Sequence, residues 1–133
     1  MAFAITRPLA TLKSEAADRI DTLSGKTRLK YVTVSPGQEM TYTAKLADAK
    51  TYIAAGYPVD TTPYPWIATE ATMTGATPTQ VADLIVYTAN LWAVVGATIE
   101  GNRQEAKRAI NAALTVTDIR TAEQSFITAM GLL

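Results

Sequence analysis

The sequence predicts an all-α chain of four or five helices. Three observations lead there. Apolar residues recur at spacings of three and four through most of the chain, which is the period of a helix face and not the alternation of a strand. Ser35-Pro36-Gly37-Gln38 and Thr77-Pro78-Thr79-Gln80 repeat one helix-start chemistry: a capping hydroxyl, a proline suited to the first turn, and a glutamine at the capping-box position. Much of the apolar fraction, 48%, is alanine, with only two phenylalanines and two tryptophans, so a core must be assembled from many small contacts between close helices. A chain of 133 residues can enclose one such core, which suits a single helical domain over 8–133 preceded by an extended arm over 1–7.

Taken in order, Leu9, Leu12, Ala16, Ile20 and Leu23 mark a helix from about Pro8 to Leu23. Gly25 is a natural stop, although Leu29 and Val32 lie near the same stripe and could extend it. The β-branched run Tyr31–Ser35 suits an extended linker. Ser35 then opens a second helix to about Ala55, with Tyr42, Leu46, Ala49 and Ile53 on one face and Gly56 as its stop. The proline-rich segment 57–65 is a loop. Trp66–Thr74 forms a short helix closed by Gly75.

The next helix starts at Pro78 and runs to about Ala113; at ~1.5 Å per residue it would reach roughly 54 Å, long for a domain of this size. Ile85, Trp92, Ile99, Ala106 and Ala113 repeat every seven residues, interleaved with Val81, Thr88, Val95, Asn102 and Ala109, a pattern suited to coiled-coil-like packing. Leu84, Val86, Leu91 and Val94 add apolar bulk to the first half, which is therefore expected to be buried on several sides. Thr115-Val116-Thr117-Asp118 opens a last helix to about Met130, with Ile119, Ala122, Phe126, Ala129 and Met130 inward. The dominant feature expected is an antiparallel hairpin of 37–55 with 78–113.

Composition removes several chemistries. Without cysteine there is no disulfide, thiolate metal site or cysteine nucleophile, and without histidine the commonest general base and metal ligand are missing. No phosphate-binding glycine loop, GxSxG elbow or HExxH pair occurs. Asp18 with Asp21 and Glu100 with Glu105 lie among basic neighbours and match ordinary solvated helix faces. No catalytic, cofactor-binding or metal residue is assigned, and no enzymatic activity is expected. Twelve basic side chains balance twelve acidic ones, which argues against a general nucleic-acid binder. No uninterrupted apolar run approaches the ~18 residues that span a bilayer, and the first residues make a poor signal peptide, so membrane insertion is not expected.

What remains is assembly. A long striped helix needs something along its length, either the other helices folded back or further copies of the chain. The candidate interface residues are Tyr42, Leu46 and Ile53 on the second helix, Trp66 at the loop end, and Ile85, Trp92, Val95, Ile99 and Asn102 on the long one. A buried Asn102 would seek its equivalent in another copy and fix register; with the stripe rotated it faces solvent. Trp66, and the group Tyr52, Tyr57 and Tyr64, either staple the loop or meet a partner.

Gly37-Gln38-Glu39-Met40-Thr41-Tyr42, followed by Lys45, Asp48 and Ala49, resembles a helical module of tailed-bacteriophage tail fibre and tail-associated structural proteins. The similarity continues through Tyr64-Pro65, Thr79-Val81-Ala82, Trp92, Ile99-Glu100, Arg103, Ala106-Lys107 and Ile110-Ala112-Ala113, most of residues 15–113. The resemblance implies a virion tail structural protein, assembled in the host cytoplasm, that binds itself as a homo-oligomer (a trimer among the options) and other phage tail proteins. In that family the module commonly ends a longer fibre; here an arm and one helix precede it, so a small fibre or fibre-to-tail adaptor subunit is expected. A tail fibre assembly chaperone absent from the mature virion, or a non-viral helical adaptor, stays open beside it.

Overall fold

The computed structural model describes residues 7–32, 35 and 37–133. Among these the chain is all-helical, with five α-helices and no strand: α1 (Leu9–Arg28), α2 (Gln38–Ala54), α3 (Pro65–Thr74), α4 (Pro78–Ala112) and α5 (Val116–Gly131). The expected arm, apart from Arg7, lies outside the described residues, as do Thr33 and Val34 of the linker and Pro36 of the second helix start. The helices divide into two compact units, one of 1–32 with 95–133 and one of 33–94, so that α4 contributes to both.

In the first unit α1 packs on α5. The inward residues of α1 are Ala16, Ile20, Ser24 and Thr27, at successive spacings of four, four and three. Gly25 does not end this helix, which runs on to Arg28. The two buried hydroxyls are satisfied within the helix: Ser24 Oγ donates to the Ile20 carbonyl at 2.8 Å and Thr27 Oγ1 to that of Leu23 at 2.8 Å. From α4, Val95, Ile99, Ala106 and Ile110 are buried, as is Ala113 just beyond its end, and from α5 Ile119, Ala122, Phe126 and Met130. Helix α5 opens on a reciprocal capping box, in which Asp118 N–H donates to Thr115 Oγ1 at 3.1 Å and Thr115 N–H donates back to the Asp118 carboxylate at 3.2 Å.

The second unit is built on a cluster of Ala49, Tyr52, Tyr64, Ile67, Ala71, Val81 and Ala82, with Ile53, Ala76, Ile85 and Val86 packed against it. Helix α2 begins at Gln38, later than the expected Ser35 start. Gly37 holds φ +79°, a left-handed backbone that cannot continue a helix upstream, and no side chain caps it. Ser35 instead accepts the Gln38 N–H through its backbone carbonyl at 3.1 Å. At the other end Gly56 (φ +85°) is followed by Tyr57, a non-glycine residue at φ 56°, whose N–H donates to the Tyr52 carbonyl at 3.2 Å.

Helix α3 has no capping side chain of its own at Tyr64. Asp48, on α2, supplies one: its Oδ2 accepts the backbone N–H groups of Trp66 at 2.9 Å and Ile67 at 3.1 Å. A carboxylate at a helix N-terminus satisfies otherwise orphaned donors and meets the positive end of the helix dipole. Lys45 and Glu70 add a second tie between α2 and α3, with Nζ and Oε1 2.7 Å apart. Helix α4 starts on the expected capping box, with Gln80 N–H donating to Thr77 Oγ1 at 3.1 Å and Thr77 N–H to Gln80 Oε1 at 3.0 Å.

Replacing Asp48 with Ala should cost about 1 kcal/mol, the typical value of a lost N-terminal cap, and loosen α3 first. Urea unfolding would measure the loss, and hydrogen exchange at Trp66 and Ile67 would locate it. Unchanged protection at those two amides would mean that the apolar cluster alone holds α3.

Candidate assembly surface

The proline-rich loop 57–65 is folded onto the second unit by tyrosines. The Tyr52 ring meets Tyr57 and Tyr64 edge to face, with centroids 5.8 Å and 5.1 Å apart. The Tyr57 hydroxyl donates to Asp83 Oδ1 on α4 at 2.7 Å, and holding the neutral phenol against that carboxylate raises its pKa. Tyr52 and Tyr64 are thus committed to loop packing, while Tyr57 stays exposed at its rim.

The nine candidate interface residues do not form one surface. Val95 and Ile99 are buried inside the chain, Ile99 completely. Ile53 and Ile85 pack against the cluster of the second unit. Leu46 and Trp92 are half-buried, and Tyr42 and Trp66 are exposed. Asn102 is half-buried beside a shallow groove of about 440 Å³ between α4 and α5, and its side-chain amide donates to the Thr98 carbonyl one turn back at 2.8 Å.

The first half of α4, expected to be buried on several sides, is largely exposed instead. Leu84 is 64% exposed, Tyr87 66%, Leu91 44% and Val94 68%. From Asp83 to Val94 no residue is buried. The helix Pro78–Ala112 is also long and apolar enough to cross a membrane by length and composition, and only 17% of its most apolar stretch is buried. Counting uninterrupted apolar residues misses that stretch because Asp83, Thr88 and Asn90 interrupt it; averaged along the helix, its apolar character stands out. This ridge is what sequence reasoning placed wrongly, although its 84-87-91-94 spacing was there to be found.

The second half of α4 is charged and faces α1. Arg103 donates to Glu100 at 2.8 Å and to Asp21 at 2.9 Å; Lys107 also reaches Asp21 at 3.0 Å, and Arg28 reaches Glu100 at 3.0 Å. Hydrogen bonds from Arg103, then Gln104, lower the Glu100 pKa to about 2. Those from Lys107 and Arg103 lower that of Asp21. Every acid in this group is matched by a cation, so the cluster ties α1 to α4 and leaves no carboxyl poised as a general acid. No group of three or more metal-ligating side chains occurs among the described residues. No known protein family, curated protein or solved structure matches the chain.

The depressed Glu100 pKa fixes the sign of a pH effect. Its ion pairs stabilise the folded state fully above its unfolded pKa of about 4.3, and the contribution is lost as pH falls toward about 2. The melting temperature of the parent should therefore exceed that of Glu100→Gln at about pH 6, and the gap should close on acidification to about pH 2. A gap that is constant over this range would show that Glu100 acts through something other than its charge.

Proposed function

We propose that this chain is a tail-associated structural protein of a bacteriophage virion, a small fibre or fibre-to-tail adaptor subunit that works by protein–protein assembly and not by catalysis. The observation that carries the proposal is the apolar first half of α4, left largely exposed. A monomeric soluble protein rarely leaves a contiguous apolar surface without a use for it. The tail assignment is supported by the resemblance of residues 15–113 to the phage tail module, whose spaced residues include Asp48, the cap of α3, and Tyr64 and Trp92. The antiparallel pairing of 37–55 with 78–113 belongs to the same proposal; it is supported by Ala49 and Tyr52 of α2 sharing one cluster with Val81 and Ala82 of α4.

Mass spectrometry of purified phage particles should find peptides of this chain in fixed proportion to known tail subunits. Peptides found in infected cells but missing from finished particles would identify an assembly chaperone instead. A chain with no particle association and no tail genes beside its reading frame would be a cellular adaptor, and the proposal would fall.

A further inference from the structure

We propose that Leu84, Tyr87 and Leu91 form the seat for a second copy of this chain, packed ridge to ridge along the first half of α4. This deepens the assembly reading above and rests on it. Spacings of three and four place the three side chains in one line along the helix, and Val94, at the next spacing of three, continues it. Neighbouring positions of the same helix are committed inward: Val81 and Ala82 are buried and Ile85 and Val86 pack against the core cluster. The helix is therefore held in its rotation, and the ridge cannot turn into its own unit.

The choice of occupant follows from pitch and charge. Knobs spaced alternately at three and four residues interlock with a helix of the same spacing, which a second copy supplies by construction. Beside the ridge, Asp83, Thr88 and Asn90 carry a single charge, and Asp83 is already engaged by the Tyr57 hydroxyl, so two copies meet without a row of like charges. There is no lysine or arginine between Lys50 and Arg103. An anionic membrane surface or a nucleic-acid backbone thus finds no cation beside the ridge. A strongly charged protein partner finds little to pair with either. The Tyr87 ring can be covered by apolar contact while its hydroxyl stays at the rim.

The parent chain and three variants test this by sedimentation equilibrium at micromolar concentration. The parent should run as a multiple of the single-chain mass, and Leu84→Glu/Leu91→Glu should run as a single chain with unchanged helical circular dichroism. Leu114→Glu alters an exposed leucine away from the ridge and should keep the parental mass. In the third variant, Tyr87→Cys at the centre of the ridge introduces the only thiol of the chain and should give a covalent dimer on mild oxidation, since the central position meets its own copy whichever way the two helices run. A parent that runs as a single chain overturns the proposal, and so does a double variant as large as the parent. A single-chain parent that floats with phosphatidylcholine vesicles would assign the ridge to a membrane and overturn it as well. Particle mass spectrometry is read separately: a monomeric parent found in virions removes the ridge contact and leaves the tail assignment, and a ridge dimer absent from virions does the reverse.

Discussion

One helix has to serve two cores. Helix α4 lends Val81 and Ala82 to the second unit and Val95, Ile99, Ala106 and Ile110 to the first, and nothing between Asp83 and Val94 is buried. A helix fixes the direction of each side chain by its position, at 3.6 residues per turn. Once the two buried blocks are chosen, the direction of the intervening side chains is fixed as well. Direction alone does not decide burial: Leu84 and Val95, eleven residues apart, share a helix face, yet Val95 is buried while Leu84, like Tyr87 and Leu91, is exposed. The other four helices are short enough to be satisfied by one unit each.

The units solve the problem of an alanine-rich chain differently. The first combines large apolar side chains, among them Ile20, Ile99, Ile110 and Phe126, with self-satisfied hydroxyls: Ser24 and Thr27 sit at buried positions because each donates to a carbonyl one turn earlier in α1. Around that core, Asp21, Glu100, Arg103 and Lys107 tie α1 to α4 at the surface, where solvent screens each pair. The second unit relies on tyrosine and on a borrowed cap. Tyr52 collects Tyr57 and Tyr64, and Asp48 terminates a helix that its own sequence leaves uncapped. Both devices draw the proline-rich loop and α3 onto α2.

Such an arrangement fits a protein that acts through surfaces. Among the described residues the acids of the charged cluster are paired, the tyrosines around the loop hold it in place, and the grooves beside α5 are shallow. The exposed ridge of α4 is the feature whose chemistry the fold itself leaves unused.

Local chemistry made much of the fold legible in the sequence. Gly75 ends α3, Thr77 and Gln80 begin α4, and Thr115 and Asp118 begin α5, each at its expected place, because a cap depends on residues three or four positions apart. Where two local signals competed, the sequence could not choose. Ser35 offers a cap, but Gly37 adopts the left-handed backbone and moves the start of α2 to Gln38; Gly25 offers a stop, but α1 continues to Arg28, with Thr27 buried two residues beyond that glycine. Other features depend on residues far apart in the chain and had no local sign: Asp48 reaching α3, Tyr57 reaching Asp83, and Arg103 reaching Asp21. The faces of α4 belong with these. The sequence by itself determined that 78–112 is a helix and that it is apolar on more than one side, because period and composition are local. Only the tertiary structure decided that Val95 and Ile99 go inward while Leu84 and Tyr87 stay outside, because burial depends on where the other helices dock.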